Sequence, residues 1–302
     1  MTETVRQAVA QIGKVVLGKE HQIRLALTSL LCQGHLLIED LPGMGKTTLS
    51  HAMAQTLGLS YNRVQFTSDL LPSDLIGINL FDKNKSEFTF HKGPLFAQLV
   101  LADEINRATP KAQSALLEAM EERQISVEGT TYTLPKPFFV IATQNPSDQS
   151  GTFLLPESQM DRFFMRIHLG YPPPEAEREL LKGSDRRSLL SKLQPVMPPD
   201  VLADLQAKVL EVRATDPLID YIQRIIAYTR SHSGFKDGIS PRGAIALLRA
   251  AKGWALLEGR QHVLPDDVQT VLPAVVEHRL GGSSRAEHYP LSTQILREVT
   301  VV

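Results

Sequence analysis

At 302 residues the chain is long enough for two domains with real cores. Hydrophobic residues make up 42% and charged residues 22%, ordinary for a soluble globular protein, and 32 basic against 33 acidic side chains leave a net charge of −1, so there is no bulk electrostatic case for binding nucleic acid or an acidic membrane. The single cysteine, Cys32, lies in an apolar stretch; one thiol makes neither an internal disulfide nor a zinc site, which fits a core position in a reducing cytoplasm.

The N-terminal residues are acidic and amphipathic with no signal-peptide pattern, and no apolar run approaches the roughly 18 residues of a membrane span. A cytoplasmic protein with no span is expected. Residues 3–33 predict two helices around the turn Val16-Leu17-Gly18-Lys19-Glu20, the second carrying Ile23, Leu27, Leu30 and Leu31 at helical spacing. Leu36, Leu37 and Ile38 then predict a buried strand that stops at Pro42-Gly43, and Leu49, Ala52, Met53, Thr56 and Leu57 predict a helix that starts at once.

Strand, glycine-containing loop, lysine, threonine, helix is the order of a phosphate-binding loop, which here runs through Asp40, Leu41, Pro42, Gly43, Met44, Gly45, Lys46, Thr47 and Thr48. Backbone N–H groups of such a loop converge on a polyphosphate, and the following helix adds the positive end of its dipole. Gly43 and Gly45 let the backbone approach closely, Lys46 reaches the β- and γ-phosphates, and the Thr47 hydroxyl holds Mg²⁺. Asp40 stands where the strict G-x-x-x-x-G-K-[ST] form has its first glycine; Asp is among the few residues that tolerate the left-handed region, so the loop is expected to survive. The bland alternative is a glycine-rich turn with an incidental lysine.

Further along, residues 61–67 predict a second strand, 69–77 a turn-rich stretch with a short helix, and 78–91 a β-hairpin with a polar tip at 82–87. Val100-Leu101-Ala102 predicts a buried strand ending in two carboxylates, Asp103 and Glu104. Thr109-Pro110 caps and starts a helix with Ala112, Ala115, Leu116, Ala119 and Met120 on one face. Residues 124–134 predict a second hairpin turning at Glu128-Gly129, 138–142 a strand ending at Asn145-Pro146, and 163–169 a last strand. Strands alternating with helices imply an α/β domain over residues 1–172 with a mostly parallel sheet. Pro172, Pro173 and Pro174 mark an extended linker, after which 199–213, 217–232, 241–258 and 266–279 carry helical spacing and form a smaller all-helical domain over 173–302.

In an open parallel sheet the ligand sits at the carboxyl ends of the strands. Asp103 there can hold Mg²⁺ through water together with Thr47, Glu104 can polarise a water for attack on the γ-phosphorus, and the Asn145 amide can orient that water or touch the γ-phosphate. The alternatives are a solvated acidic turn for the carboxylates and a turn former before Pro146 for Asn145. A guanine-reading Asn-Lys-x-Asp does not occur, which disfavours GTP.

With these residues in hand the chain resembles AAA+ ATPases, specifically the MoxR family. The likeness is carried by the phosphate loop, by Ala102-Asp-Glu-Ile-Asn-Arg-Ala, by Ala142-Thr-Gln-Asn-Pro, by Leu155-Pro-Glu-Ser-Gln-Met-Asp-Arg-Phe, and in the helical part by Ile239-Ser-Pro-Arg-Gly-Ala. Asp40 is usual in that family. The resemblance implies a P-loop AAA+ domain followed by a helical lid, with Asp103 and Glu104 as the Walker B pair and Asn145 as sensor 1. It makes Arg162 an arginine finger aimed at the neighbouring subunit's nucleotide, and Arg242 a sensor 2 acting within its subunit or across the interface. Val16 and Gly18 would belong to the segment that packs on adenine, with 78–91 the helix-2 insert and 124–134 the pre-sensor-1 hairpin. It further implies ATP and Mg²⁺, a homo-oligomeric ring (a hexamer), and chaperone-like maturation of protein clients, commonly with a von Willebrand A-domain partner; the near-neutral charge and the lack of an appended DNA-reading motif predict no nucleic-acid partner. Read without the family, Arg162 would be a salt-bridge partner of Asp161 and Arg242 a solvated side chain at a helix start. Arg107 and His91 read as surface residues. A nucleic-acid-stimulated motor and a slowly hydrolysing nucleotide-gated scaffold are the competing functions.

Overall fold

The computed structural model describes residues 3–84, 86–146, 151–183, 186–280 and 290–301. Its first helix, α1 (Glu3–Gly13), buries Val5, Ala8, Val9 and Ile12, the stripe that a 3.6-residue period produces. After α2 (Glu20–Leu31) and β1 (Leu36–Glu39) come α3 (Lys46–Leu57) and β2 (Tyr61–Gln65). A short α4 (Pro72–Ile76) leads into the hairpin β3 (Gly77–Asp82) and β4 (Glu87–Lys92); Lys85, in the tip expected at 82–87, lies outside the described residues. The chain continues through β5 (Leu99–Asp103), α5 (Pro110–Glu122), the hairpin β6 (Gln124–Val127) and β7 (Thr130–Thr133), β8 (Phe139–Gln144), the one-turn α6 (Glu157–Met160) and β9 (Met165–Ile167). Among the described residues seven helices follow: α7 (Pro174–Leu181), α8 (Arg186–Leu190), α9 (Pro199–Glu211), α10 (Asp216–Ser231), α11 (Pro241–Leu257), α12 (Pro265–Val276) and α13 (Leu291–Glu298).

β1, β2, β5, β8 and β9 form one parallel sheet in the order β2-β5-β8-β1-β9. Because successive side chains of a strand point to opposite faces, the two faces collect different residues. Leu36, Ile38, Leu101 and Ile141 join a core with α1–α3 and helices α9–α12, whereas Leu37, Val100, Val140 and Ala142 join a second core with α4, α5 and the β6–β7 hairpin. The apolar cluster on the first face is continuous across the boundary expected at residue 172, so the helical part packs on the sheet-bearing part through shared apolar contacts. The expected linker is also shorter than three prolines: Pro174 is the first residue of α7, where its missing N–H is no loss.

His35, ahead of β1, ties α5 to β8. Its Nδ1 accepts the Val140 N–H at 3.0 Å and its Nε2 faces the Met120 carbonyl at 3.1 Å, a neutral imidazole whose pKa burial pushes down to about 4. Cys32 is buried and its thiol pKa is pushed up to about 12, which makes it an inert core residue. Among the described residues no helix is long and apolar enough to cross a membrane.

Candidate functional site

The sheet has two edges, and the functional candidates divide between them. At the carboxyl edge, residues 41–45 make the turn from β1 into α3, with φ of +84° at Gly43 and +92° at Gly45. A side chain at either glycine would sit in the left-handed region. A Cβ there would meet no protein atom within 4 Å, so the space in front of the loop is open to a ligand. Thr47 is exposed on the first turn of α3, Thr48 beside it and Met44 half-buried. Lys46 is buried and donates to the Asp40 carbonyl at 2.6 Å and, more distantly, to that of Gln144 at 3.5 Å. Burial lowers its pKa while Asp103, Asp40, Glu104 and Glu39 work to raise it, so a cation is held among four carboxylates.

Asp40 does not use the left-handed backbone: the described non-glycine residues with positive φ are Gln33, Ser86, Glu104, Arg123 and Glu128. Its carboxylate has another task. Oδ2 accepts the backbone N–H groups of Leu169 and Gly170, each at 2.6 Å, and Oδ1 accepts that of Leu41 at 3.0 Å. Asp at this place therefore fastens the exit of β9, and with it the approach to α7, to the start of the phosphate loop. Asp40→Gly, which restores the glycine of the strict motif, removes the acceptor of three backbone N–H groups. It is expected to lower the unfolding free energy by about 2–4 kcal/mol in urea titrations, whereas Asp40→Asn should lose less.

Glu104 follows β5 with φ 57°, ψ 49°, a left-handed conformation that turns its side chain away from the strand direction. Asp103 is 7% exposed; Thr143 Oγ1 donates to its Oδ1 at 2.6 Å, and Arg63 donates to its Oδ2 from Nε at 3.1 Å and from NH2 at 2.7 Å. Gln65 Nε2 donates to Glu104 Oε2 at 2.7 Å, and Arg107 Nε lies 3.1 Å from the same oxygen. Arg107 is thus a neighbour of the candidate base and not simply a surface residue. Asn145 follows β8, the strand between β5 and β1, and so lies at the same edge. Thr47 and Asp103 offer hydroxyl and carboxylate oxygens, the hard donors that suit Mg²⁺.

The turn carrying Val16 and Gly18 packs on the approach to α7. Val16 is buried, Gly18 abuts Pro173 and Ala176, and Lys19 donates to the Tyr171 carbonyl at 2.6 Å.

At the opposite edge lie the two arginines. β9 pairs with β1 in parallel register, Leu36 opposite Met165 and Ile38 opposite Ile167. Arg162, before β9, and the phosphate loop, after β1, are therefore separated by strands roughly 10 Å long. Arg162 does not pair with Asp161. It pairs instead with Glu121 at 3.1 Å, and Arg242, at the start of α11, pairs with the same Glu121 at 2.5 Å. Met120 and these three line a cleft of about 180 Å³. Neither Arg63, Gln65 nor Glu121 carries a sequence signal, because each is a polar residue on a strand or helix whose partner comes from a distant segment.

The family model described as "ATPase family associated with various cellular activities (AAA)" matches residues 35–165, and that of an AAA lid domain matches 227–299. The chain is 43% identical over 294 residues to the uncharacterized protein YeaC of Bacillus subtilis, covering 97% of this chain and 92% of the relative. It is 38% identical to Chaperone MoxR1 of Mycobacterium tuberculosis, covering 92% and 75%, and 36% identical to Protein MoxR of Paracoccus denitrificans, covering 91% and 88%. A crystal structure from Cytophaga hutchinsonii superposes with a TM-score of 0.89 at 36% identity, covering 99% of this chain and 95% of that one.

Proposed function

The chain belongs to the MoxR family of AAA+ ATPases, and from that premise we propose that it hydrolyses ATP with Mg²⁺ at the interfaces of a hexameric ring, in the cytoplasm, to mature or activate client proteins as a chaperone does. The observation that carries this reading is the division of charge between the two sheet edges. Lys46 and the carboxylates Asp103 and Glu104 lie at one, and Arg162 and Arg242 share Glu121 at the other. An arginine on the far edge cannot serve its own phosphate loop, but it can serve that of a second subunit. Both arginines are read as acting in trans.

In this mechanism the amides around Gly45 and the start of α3 grip the phosphates, and Lys46 exchanges its carbonyl partners for phosphate oxygens. Thr47 and Asp103 would hold the Mg²⁺ that accompanies the nucleotide, which neutralises charge on the β- and γ-oxygens. Gln65 and Arg107 fix Glu104 through Oε2, so Oε1 takes a proton from the attacking water. The water oxygen bonds to the γ-phosphorus as its bond to the ADP oxygen breaks. Asn145 orients that water. Val16 and Gly18 lie against the adenine.

The client surface is assigned to the hairpin β3–β4, where Phe81 is 53% and Phe88 71% exposed with their ring centroids 5.4 Å apart. Movement is communicated along the Asp40 clip to Leu169 and Gly170 and on through the short linker to α7.

Glu104→Gln tests the chemical step. It should bind ATP as the parent does, while steady-state turnover of the assembled protein falls by about 10²–10⁴-fold. A rate within threefold of the parent would remove Glu104 from the role of base. The same variant, held with ATP bound, should retain client proteins in affinity purification.

A further inference from the structure

The segment that carries Arg162 is bolted to the helical part by one buried arginine. Arg279, just beyond α12, has a side chain only 3% exposed. Its Nε donates to Asp161 Oδ1 at 2.7 Å, and its NH2 donates to the Phe163 carbonyl at 2.6 Å and the Asp161 carbonyl at 3.2 Å. NH1 donates to the Phe164 carbonyl at 3.3 Å and to the Val275 carbonyl on its own helix. Residues on both sides of Arg162 are thus held by a single planar fork, a geometry that a lysine ammonium does not reproduce.

The same side chain also meets the carrier of the second arginine. Its Cδ runs under the first turn of α11, where a Cβ on Gly243 would come within 3.0 Å of it. Gly243 is the residue after Arg242. Ser240, the cap of α11, faces Asp161 Oδ2 at 3.4 Å, and Lys236 pairs with Glu157 of α6 at 2.7 Å, so further contacts join the same two pieces.

A buried guanidinium is desolvated, and its charge persists because Asp161 and four carbonyls surround it. An apolar side chain would fill the space without that requirement, so the charge here serves geometry. We propose that Arg279 is a positioning residue that locks Arg162, from the α/β part, and Arg242, from the helical part, into one unit presented to the neighbouring subunit. The two arginines then move with the helical part and reach the neighbour's phosphates together. This rests on the reading of Arg162 and Arg242 as trans-acting.

Arg279→Met is the test. Nucleotide affinity at its own site should stay within about twofold, while turnover falls by about tenfold to a hundredfold, the loss that a misplacement near 1 Å produces. Mixing separates position from fold. Arg279→Met has an intact phosphate loop, so assembly with Lys46→Ala, whose arginines are intact, should restore turnover; assembly with Arg162→Ala should not. Parental turnover in Arg279→Met, restoration by Arg162→Ala, or no restoration by Lys46→Ala each overturns the inference. Parental turnover in Arg162→Ala itself overturns the trans-acting reading instead. Should Arg279→Met lack a cooperative thermal transition, Asp161→Asn, which keeps the shape but not the ion pair, goes through the same mixing scheme with a smaller loss expected and the same outcomes deciding.

Discussion

Lys46→Ala is expected to lose nucleotide binding while the fold survives. The ammonium is buried, with Asp40 and Gln144 carbonyls as its partners; burial lowers its pKa, and four nearby carboxylates offset part of that shift. In the proposed complex it answers the charge of the β- and γ-phosphates at the start of α3, beside the backbone dipoles of the loop. Truncating one member of such a charge pair raises the free energy of binding by about 2–5 kcal/mol, or about 30-fold to several thousandfold in Kd. Titration of the parent and the variant with a fluorescent ATP analogue reads this directly. Stability should fall as well, since the Asp40 and Gln144 carbonyls and four nearby carboxylates lose their cation, so a cooperative urea transition is checked alongside the titration. A Kd within threefold of the parent, in a variant that still unfolds cooperatively, would mean that the phosphates lie somewhere other than the loop at Gly45.

The elements of this site that are contiguous along the chain are legible from residue order alone. Gly45-Lys46-Thr47 and Asp103-Glu104 announce themselves because a loop amide cradle and a strand-end carboxylate pair are local features, and the apolar runs at 36–38 and 100–102 set the strands that bring them to one edge. Their partners are hidden. Arg63 and Gln65 are exposed on either side of buried Val64 in β2 and look like an ordinary solvated strand face until β2 is laid beside β5. Arg279 lies 116 residues from Phe163, and nothing in a 3.6-residue period reports a side chain that leaves its helix end to grip another segment. Asp40 illustrates a different failure. Tolerance of the left-handed backbone is a sound reason for an Asp to be there, but the structure uses its carboxylate and not its φ. Likewise α7 begins inside a proline run that reads as linker, and proline at the first helical position is compatible with both outcomes.

Arg162→Ala is expected to keep ATP affinity and lose turnover, and the magnitude follows from where the guanidinium stands. An arginine that stabilises the charge on the transferring phosphoryl group contributes about 10³–10⁵ in rate, or about 4–7 kcal/mol of barrier. The pair with Glu121 is partly exposed and contributes less than about 1 kcal/mol to the fold, and Glu121 retains Arg242 when Arg162 is gone. Lost turnover therefore cannot be put down to unfolding. Because Arg162 and its own phosphate loop lie at opposite edges of the sheet, the defect should belong to the neighbour's site. Two consequences follow from that displacement. Dilution of the parent below its assembly range should reproduce the low turnover of Arg162→Ala with ATP still bound. Mixing Arg162→Ala with Lys46→Ala should recover activity, since each supplies what the other lacks: one an intact phosphate loop, the other an intact arginine. A mixture as inactive as its two components would leave Arg162 with no subunit to act upon.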